Sequence, residues 1–228
     1  MTKILAHRGA NTFAPENTIE AFRIAIEQGA DGLELDVHLS KDGEVMVFHD
    51  LTLARMTGQP GRICDFTCAQ LQALDFPIPT LREVYALVNR PMVVNVELKT
   101  YEELYPALTE KLINLENELK NDFTEIIYSS FNHYSLQALR QCKPDAKIGL
   151  LYHLPLVDPH VYASYLKADA LHAPWKILAA LPKTVSDCHE KGIAVNVWTV
   201  NEPEIIKQMK GLNVDAIITD VPHLAQTL

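Results

Sequence analysis

His7, Arg8 and Gly9 follow one another directly at the end of a short apolar run, Lys3 to His7. Titratable and charged side chains are costly to bury unless they are paired or used. Two further runs carry acids at alternate positions. In "GLELDVHL" (Gly32 to Leu39), Glu34, Asp36 and His38 share one face if the run is a strand. In "MVVNVELK" (Met92 to Lys99), Asn95, Glu97 and Lys99 do the same. Neighbouring strands would bring Glu34, Asp36 and Glu97 together. Two carboxylates about 4 Å apart repel by roughly 4 kcal/mol at an effective dielectric near 20. Such a cluster takes up protons, pairs with Arg or Lys, or holds a cation. Oxygen-only ligands suit Mg2+, Ca2+ or Mn2+ rather than Zn2+. Arg8 and Lys99 keep the other arrangement open, an ion-pair network at the rim of the fold.

His7 and His49 each end a strand-like run, before Arg8 and Asp50 respectively. Two imidazoles on one rim can act as base and acid near neutral pH, whereas a lone one serves as well as a hydrogen-bonded rim residue. Arg8 suits a phosphate through its planar fork and Lys99 as a point charge. Carboxylates for a divalent cation, two imidazoles and two cations describe phosphoryl-ester chemistry better than sugar or carbonyl chemistry. Other residues read more plainly. His38, close to a turn, is structural. His172 lines the pocket or packs, with nothing to choose between them. His133, His153, His160, His189 and His223 read as surface or helix-cap residues, and Phe131 as a wall of the site or, the cheaper account, a buried aromatic.

The elements that must position these residues alternate along the chain. Strand candidates are 3–7, 32–39, 92–99, 124–130, 146–152, 168–173, 193–200 and 214–219. Amphipathic stretches separate them. "NTIEAFRIAIEQGA" starts near Asn17, buries Ile19, Phe22, Ala25 and Ile26 on one face and stops at Gly29. Others run over 102–121, 133–142 and 202–211. Eight strands with helices between them predict an α/β fold of the (β/α)8, TIM-barrel type. Its active-site face is the C-terminal end of the strands, where the polar residues fall. An open doubly wound sheet would carry a glycine-rich turn after the first strand, and "HRGANTF" is not one. "KDG" predicts a hairpin with an extra strand over Val45 to Phe48. The stretch from about 51 to 79 reads as a compact insertion after strand two, long enough to be functional.

The chain has 228 residues and reads as a single domain over 1–228. Its formal charge is -9, from 20 basic and 29 acidic residues, which excludes a nucleic-acid binder. Cys64, Cys68, Cys142 and Cys188 form no zinc-ligand pattern and fit a reducing cytoplasm. The N-terminus is not a signal peptide, and no apolar stretch approaches the roughly 18 residues that span a bilayer. No stable membrane association is expected, and a homodimer is left open.

The sequence resembles the glycerophosphodiester phosphodiesterase family, of the bacterial cytosolic type. The resemblance rests on "HRG" (His7 to Gly9), "PENT" (Pro15 to Thr18), "ELDVHLSKDG" (Glu34 to Gly43) and "VFHD" (Val47 to Asp50). It continues through "IPTLREV" (Ile78 to Val84), "VELK" (Val96 to Lys99), Ser130-Phe131, "VWTVN" (Val197 to Asn201) and "ITD" (Ile218 to Asp220). These follow the family's order over nearly the whole chain. The resemblance implies a TIM barrel that hydrolyses glycerophosphodiesters, such as glycerophosphocholine and glycerophosphoethanolamine, to sn-glycerol 3-phosphate and an alcohol. It implies Glu34, Asp36 and Glu97 as ligands of one divalent cation, Mg2+ or Ca2+, and His7 and His49 as the acid–base pair. It implies Arg8 and Lys99 on the phosphate, Glu16 and Asn17 as braces of the first loop, and Trp198 as a wall beside the glycerol. The segment between His49 and "IPTLREV" is shorter than in many members.

Three other readings compete. A phospholipase C or sphingomyelinase-like lipase would act at membranes, and no basic amphipathic segment supports it. A Schiff-base role for Lys99 conflicts with nearby Glu97, which keeps the amine protonated. A non-catalytic phosphate-binding module would not require both His7 and His49.

Overall fold

The computed structural model describes residues 1–101, 103–119 and 124–228. Nine strands form its sheet: β1 (Lys3–His7), β2 (Gly32–Leu39), β3 (Val45–Val47), β4 (Met92–Leu98), β5 (Thr124–Ser130), β6 (Lys147–Leu151), β7 (Ala170–Pro174), β8 (Ala194–Trp198) and β9 (Ala216–Thr219). All but β3 are parallel and close into a barrel, in the order β1-β2-β4-β5-β6-β7-β8-β9 and back to β1. The predicted (β/α)8 barrel is therefore observed. β3 runs antiparallel along the end of β2 that β1 does not reach, with Val37 opposite Val47.

Alternation splits each strand between two cores. Leu33, Leu35 and Val37 of β2 and Val94, Val96 and Leu98 of β4 pack outward beneath the helices, against Phe22, Leu81 and Leu112 among others. Leu5, Val93, Ala216 and Ile218 form a smaller apolar plug inside the barrel. Above that plug the inward residues turn polar. The β2–β4 register sets Glu34 opposite Asn95 and Asp36 opposite Glu97, and the β1–β2 register sets His7 opposite Glu34.

Two helices differ from their sequence reading. The first is Ile19–Glu27, capped by Thr18, whose hydroxyl accepts from Ala21 N–H. Asn17 stays outside the helix with φ of 56° because its side chain is used elsewhere. The helix read over 102–121 is observed as Leu108–Leu119; Glu102, Lys120 and Asn121 lie outside the described residues. Pro106 accounts for the late start, since it disfavours helical backbone at Tyr105. The 51–79 segment holds the short helices Ala54–Thr57 and Cys68–Gln72 and a 3-10 turn at Ile63–Asp65. Leu53, Ile63, Leu71 and Ile78 give it a small core against Met46 and Phe48 of the hairpin. Among the described residues no helix is long and apolar enough to cross a membrane.

His172 sits in the barrel's middle layer, fully buried, with Nε2 accepting from Asn196 Nδ2 at 3.0 Å. Gly149 on β6 makes room for it: a Cβ there would lie 2.2 Å from His172 Nε2. Gly149→Ala is expected to cost about 3 kcal/mol in urea unfolding, by overpacking. Burial pushes the His172 imidazole from 6.5 down to about 3. The unfolded chain binds this proton first, so the stability His172 contributes is intact above pH 6.5 and lost as pH falls toward 3. Between pH 7 and pH 5, His172→Gln should lose about 2 kcal/mol less stability than the wild type. Equal losses would exclude His172 as the source.

Candidate active site

After β1 the chain turns sharply, with Arg8 at φ 56° and Gly9 at φ 85°. Arg8 N–H donates to Glu34 O at 2.8 Å and to Glu34 Oε2 at 3.1 Å, while Arg8 O accepts from Asn17 N–H at 2.9 Å. The left-handed backbone costs a non-glycine residue about 1 kcal/mol or more, and such outliers gather at functional sites. It leaves the guanidinium beside the acids. Gly9 has its own reason: a Cβ there would lie 2.7 Å from the backbone of Ala21, where the first helix crosses.

Glu34, Asp36 and Glu97 are all buried, and each offers a carboxylate oxygen within 4.8 Å of the others. Lys99 Nζ lies 2.8 Å from Glu97 Oε1 and 3.2 Å from Asp36 Oδ1. Arg8 Nε lies 3.4 Å from Asp36 Oδ2, which also accepts from Asn17 Nδ2 at 2.8 Å. Arg8 divides its charge, because its Nη1 donates to Glu16 Oε1 at 2.9 Å. Two cations thus face three buried carboxylates, and the deficit falls unequally on the acids. Burial, with Asp36 and Glu97 beside it, pushes Glu34 well above the usual carboxylate range. Burial carries Glu97 to about 7 against the pull of Lys99. Burial opposes ionisation of Asp36 too, but Lys99 and Arg8 outweigh it and hold that acid down. Asp36 Oδ1 has the Lys99 ammonium as its ion-pair partner and no further hydrogen bond. An all-oxygen donor set and an excess of negative charge fit a hard divalent cation.

Each rim imidazole is anchored by a carboxylate. His7 Nδ1 lies 2.7 Å from Asp220 Oδ1. Asp220 is itself fixed by the side-chain amides of Asn11 and Asn201, while its N–H donates to Asn201 Oδ1 at 2.9 Å. His49 Nδ1 lies 2.7 Å from Asp50 Oδ1. Arg55, from the insertion, ties Asp50 to Glu16: its Nε donates to Asp50 Oδ2 at 2.6 Å and its Nη2 to Glu16 Oε1 at 2.6 Å. Burial would raise both aspartates, yet hydrogen bonds from Arg55 and His49 hold Asp50 at about 2, and those from His7 and the two asparagines do the same for Asp220. Burial lowers the His49 imidazole. A Nδ1–carboxylate contact fixes the ring and leaves Nε2 for the pocket.

These groups surround a cavity of about 140 Å3, lined by His7, Arg8, Glu34, His49, Glu97 and Lys99 on one side. Trp198, Phe131, Tyr101 and Leu151 line the other. Trp198 Nε1 donates to His172 O at 3.0 Å, and Phe131 stands edge-on to it with ring centres 5.8 Å apart. Asp36, Glu16 and Asn17 lie one layer behind. Phe131, read from sequence as a buried aromatic, is only half-buried and walls the cavity. His172 packs beneath it rather than lining it. His38 is structural: its Nε2–H donates to His49 O at 3.2 Å and its Nδ1 accepts from Tyr105 O–H at 3.0 Å. Asp50, Asp220, Arg55, Asn11 and Asn201 were given no role by the sequence. The first two sit at strand ends, a signal that was available. Arg55 lies in an aperiodic segment and carried none.

A model of the glycerophosphoryl diester phosphodiesterase family matches residues 7–224. The chain belongs to this family. It is 42% identical to the glycerophosphodiester phosphodiesterase of Caldanaerobacter subterraneus subsp. tengcongensis, over 97% of this chain and 95% of that one. It is 35% identical to the Bacillus altitudinis enzyme of the same name, over 99% and 97%. An Oleispira antarctica phosphodiesterase solved with the product sn-glycerol-3-phosphate superposes with a TM-score of 0.93 at 27% identity, covering 100% of this chain and 96% of that one. The Thermotoga maritima glycerophosphodiester phosphodiesterase gives 0.84 at 33% identity, covering 100% and 98%. Like these relatives, the chain is a phosphoric diester hydrolase.

The charge deficit makes a signed prediction for the glycerophosphoryl diester phosphodiesterase cluster. Without divalent cations, Glu34→Gln relieves repulsion and should raise stability by about 1 kcal/mol, about 2–4 °C in Tm for a chain this size. With millimolar Mg2+ or Ca2+ the wild type should gain Tm and Glu34→Gln should not. Thermal melts with EDTA and with each ion test this, and a wild-type melt indifferent to both ions would leave only the ion-pair network.

Proposed function

We propose that the chain hydrolyses glycerophosphodiesters such as glycerophosphocholine and glycerophosphoethanolamine to sn-glycerol 3-phosphate and an alcohol, with one divalent cation, Mg2+ or Ca2+. The observation that carries this is the cavity itself. Two carboxylate-anchored imidazoles face three buried acids and two cations across a space the size of a phosphoryl group with a few carbons. Family membership and the product complex of the Oleispira antarctica relative support the same reading. Glu34, Asp36 and Glu97 would hold the cation, which when bound supplies charge stabilisation to the phosphoryl oxygens.

The chain's own groups do the rest. The Arg8 guanidinium and Lys99 ammonium bind non-bridging oxygens and offset charge that grows in the transition state. One imidazole Nε2 of the pair His7 and His49 takes the proton of the attacking hydroxyl. The other delivers a proton to the departing alkoxide, and proton exchange with water, or hydrolysis of a cyclic phosphate with the two roles reversed, restores both before the next turnover. The attacking hydroxyl is water or the substrate's own glycerol 2-hydroxyl, which gives a cyclic phosphate first. Single-turnover product analysis separates the two. Glu16 and Asn17 brace the first loop, and Trp198 walls the glycerol. We place the enzyme in the cytoplasm as one domain over 1–228, in keeping with four free thiols and a family match from 7 to 224.

The reaction is tested by incubation with glycerophosphocholine, with EDTA and with Mg2+ or Ca2+ restored, reading glycerol 3-phosphate through a coupled dehydrogenase. Cation-dependent release is expected; none with any glycerophosphodiester or ion overturns the reading. His49→Ala should lower kcat by about 10²–10⁴ while keeping the cation-induced rise in Tm. Arg55→Ala frees Asp50 and Glu16 and should lower kcat about tenfold with KM little changed, and Arg55→Lys should recover part of the loss. A fully active Arg55→Ala would show that His49 needs no such support.

A further inference from the structure

A second cavity, of about 440 Å3, adjoins the candidate active site. The two share a wall formed by Phe131 and Leu151. The second is built from the segment after β6, the start of the helix His133–Cys142 and the helix Pro159–Tyr165. Among the described residues no Asp, Glu, Lys or Arg lines it. Of its two imidazoles, one is spent on the protein and the other, exposed, rests against Phe131. His133 Nε2–H donates to Leu151 O at 2.9 Å and its Nδ1 accepts from Tyr162 O–H at 3.0 Å. His153 lies with its ring centre 5.7 Å from that of Phe131. The rim is apolar and wet: Leu154 is 64% exposed, Val157 92% and Tyr162 40%. Contiguous apolar surface of this kind marks a binding face.

What covers it follows from where it opens. The charged half of the active-site cavity holds the phosphoryl group, and the only wall shared with the groove is apolar. A group crossing Phe131 and Leu151 meets no Asp, Glu, Lys or Arg among the described residues that line the groove. An ammonium head group would find no carboxylate there, whereas methylenes find aliphatic and aromatic side chains. Resting on the phosphodiesterase reading above, we propose that this groove takes an alkyl or acyl chain carried by the diester, making chain-bearing glycerophosphodiesters preferred substrates over small polar ones. The reaction is unchanged: the P–O bond to the alcohol breaks, and water supplies the oxygen on phosphorus and the proton on the alcohol. A chain on the alcohol leaves with it. A chain on the glycerol stays with the phosphomonoester.

The test compares kcat/KM, below micelle formation, for two series. One carries methyl, butyl or octyl on the alcohol; the other carries the same chains on the glycerol of glycerophosphocholine. The expected result is a rise of at least tenfold from methyl to octyl in one series, up to about fourfold per methylene until the groove fills. Leu154→Ser with Val157→Ser, both at exposed positions, should flatten that rise while leaving glycerophosphocholine turnover unchanged. The responding series identifies which end of the substrate lies in the groove. Flat profiles in both series with glycerophosphocholine still hydrolysed overturn the groove proposal alone. No hydrolysis of any diester overturns the phosphodiesterase reading beneath it. Equal activation of polar and chain-bearing substrates by phosphatidylcholine vesicles would make the groove a membrane contact and would also overturn the proposal.

Discussion

Three carboxylates buried at the ends of two adjacent strands create a cost that the surrounding structure is arranged to meet. Desolvation and mutual repulsion both oppose ionisation of Glu34, Asp36 and Glu97. Barrel closure fixes them there, because the β2–β4 register sets Asp36 against Glu97 and no side-chain rotation separates strands held by a backbone ladder. The compensation comes from three directions. Lys99 reaches back from just beyond β4, Arg8 turns in from the strained end of β1, and Asn17 gives up a helical position to bond Asp36. These offset Asp36 and leave Glu34 and Glu97 with charge to spare. A fold that sought only stability would have placed leucines at these positions.

The same charges extend outward in a continuous chain. Asp36 meets Arg8, Arg8 meets Glu16, Glu16 meets Arg55, Arg55 meets Asp50, and Asp50 holds His49. The 51–79 insertion is therefore wired to the site through one guanidinium, although its core is separate. His38 adds a neutral support, donating to the backbone carbonyl of His49 from below, and burial keeps that imidazole uncharged by pushing it down to about 4. On the opposite rim, Asp220 gives His7 an equivalent anchor from the last strand of the barrel. His7 is thus fixed through Nδ1 by a group that barrel closure brings from the far end of the chain, and His49 by its neighbour Asp50, which Arg55 of the insertion holds in place.

This division explains what the sequence disclosed. Strand alternation is a local property, so the inward faces of β2, β4 and β8, with their acids, Lys99 and Trp198, could be read directly. The (β/α)8 order followed from the count of such runs. What was hidden depends on closure. Asp220 is 213 residues from His7 in sequence and meets it only because β9 pairs with β1. Arg55 lies in a stretch with neither helical nor strand period, and its two carboxylate partners are 5 and 39 residues away. The Asn17 displacement was hidden for the reverse reason. Its local pattern favoured a helix start, and a long-range bond to Asp36 won. Phe131 reads as core by type, yet it stands where two cavities meet.

The rim of the barrel is polar on one side and apolar on the other. β1, β2 and β4 contribute His7, Glu34 and Glu97, while the chain beyond β5, and β6 and β8 themselves, contribute Phe131, Leu151 and Trp198. On the function proposed, an anion entering the cavity would be held against the first set by Arg8 and Lys99, since the apolar second set offers little to replace its hydration. A neutral or apolar substituent has the opposite preference. On the function proposed, the two halves would orient a diester before any proton moves, with the phosphorus toward the imidazoles and an apolar substituent toward Phe131. Orientation of this kind converts binding energy from a remote part of the substrate into position at the reacting atom. On that reading, the side chains that separate the two halves would govern which diesters arrive in a reactive pose, while the acid cluster would govern how fast those that arrive are cleaved.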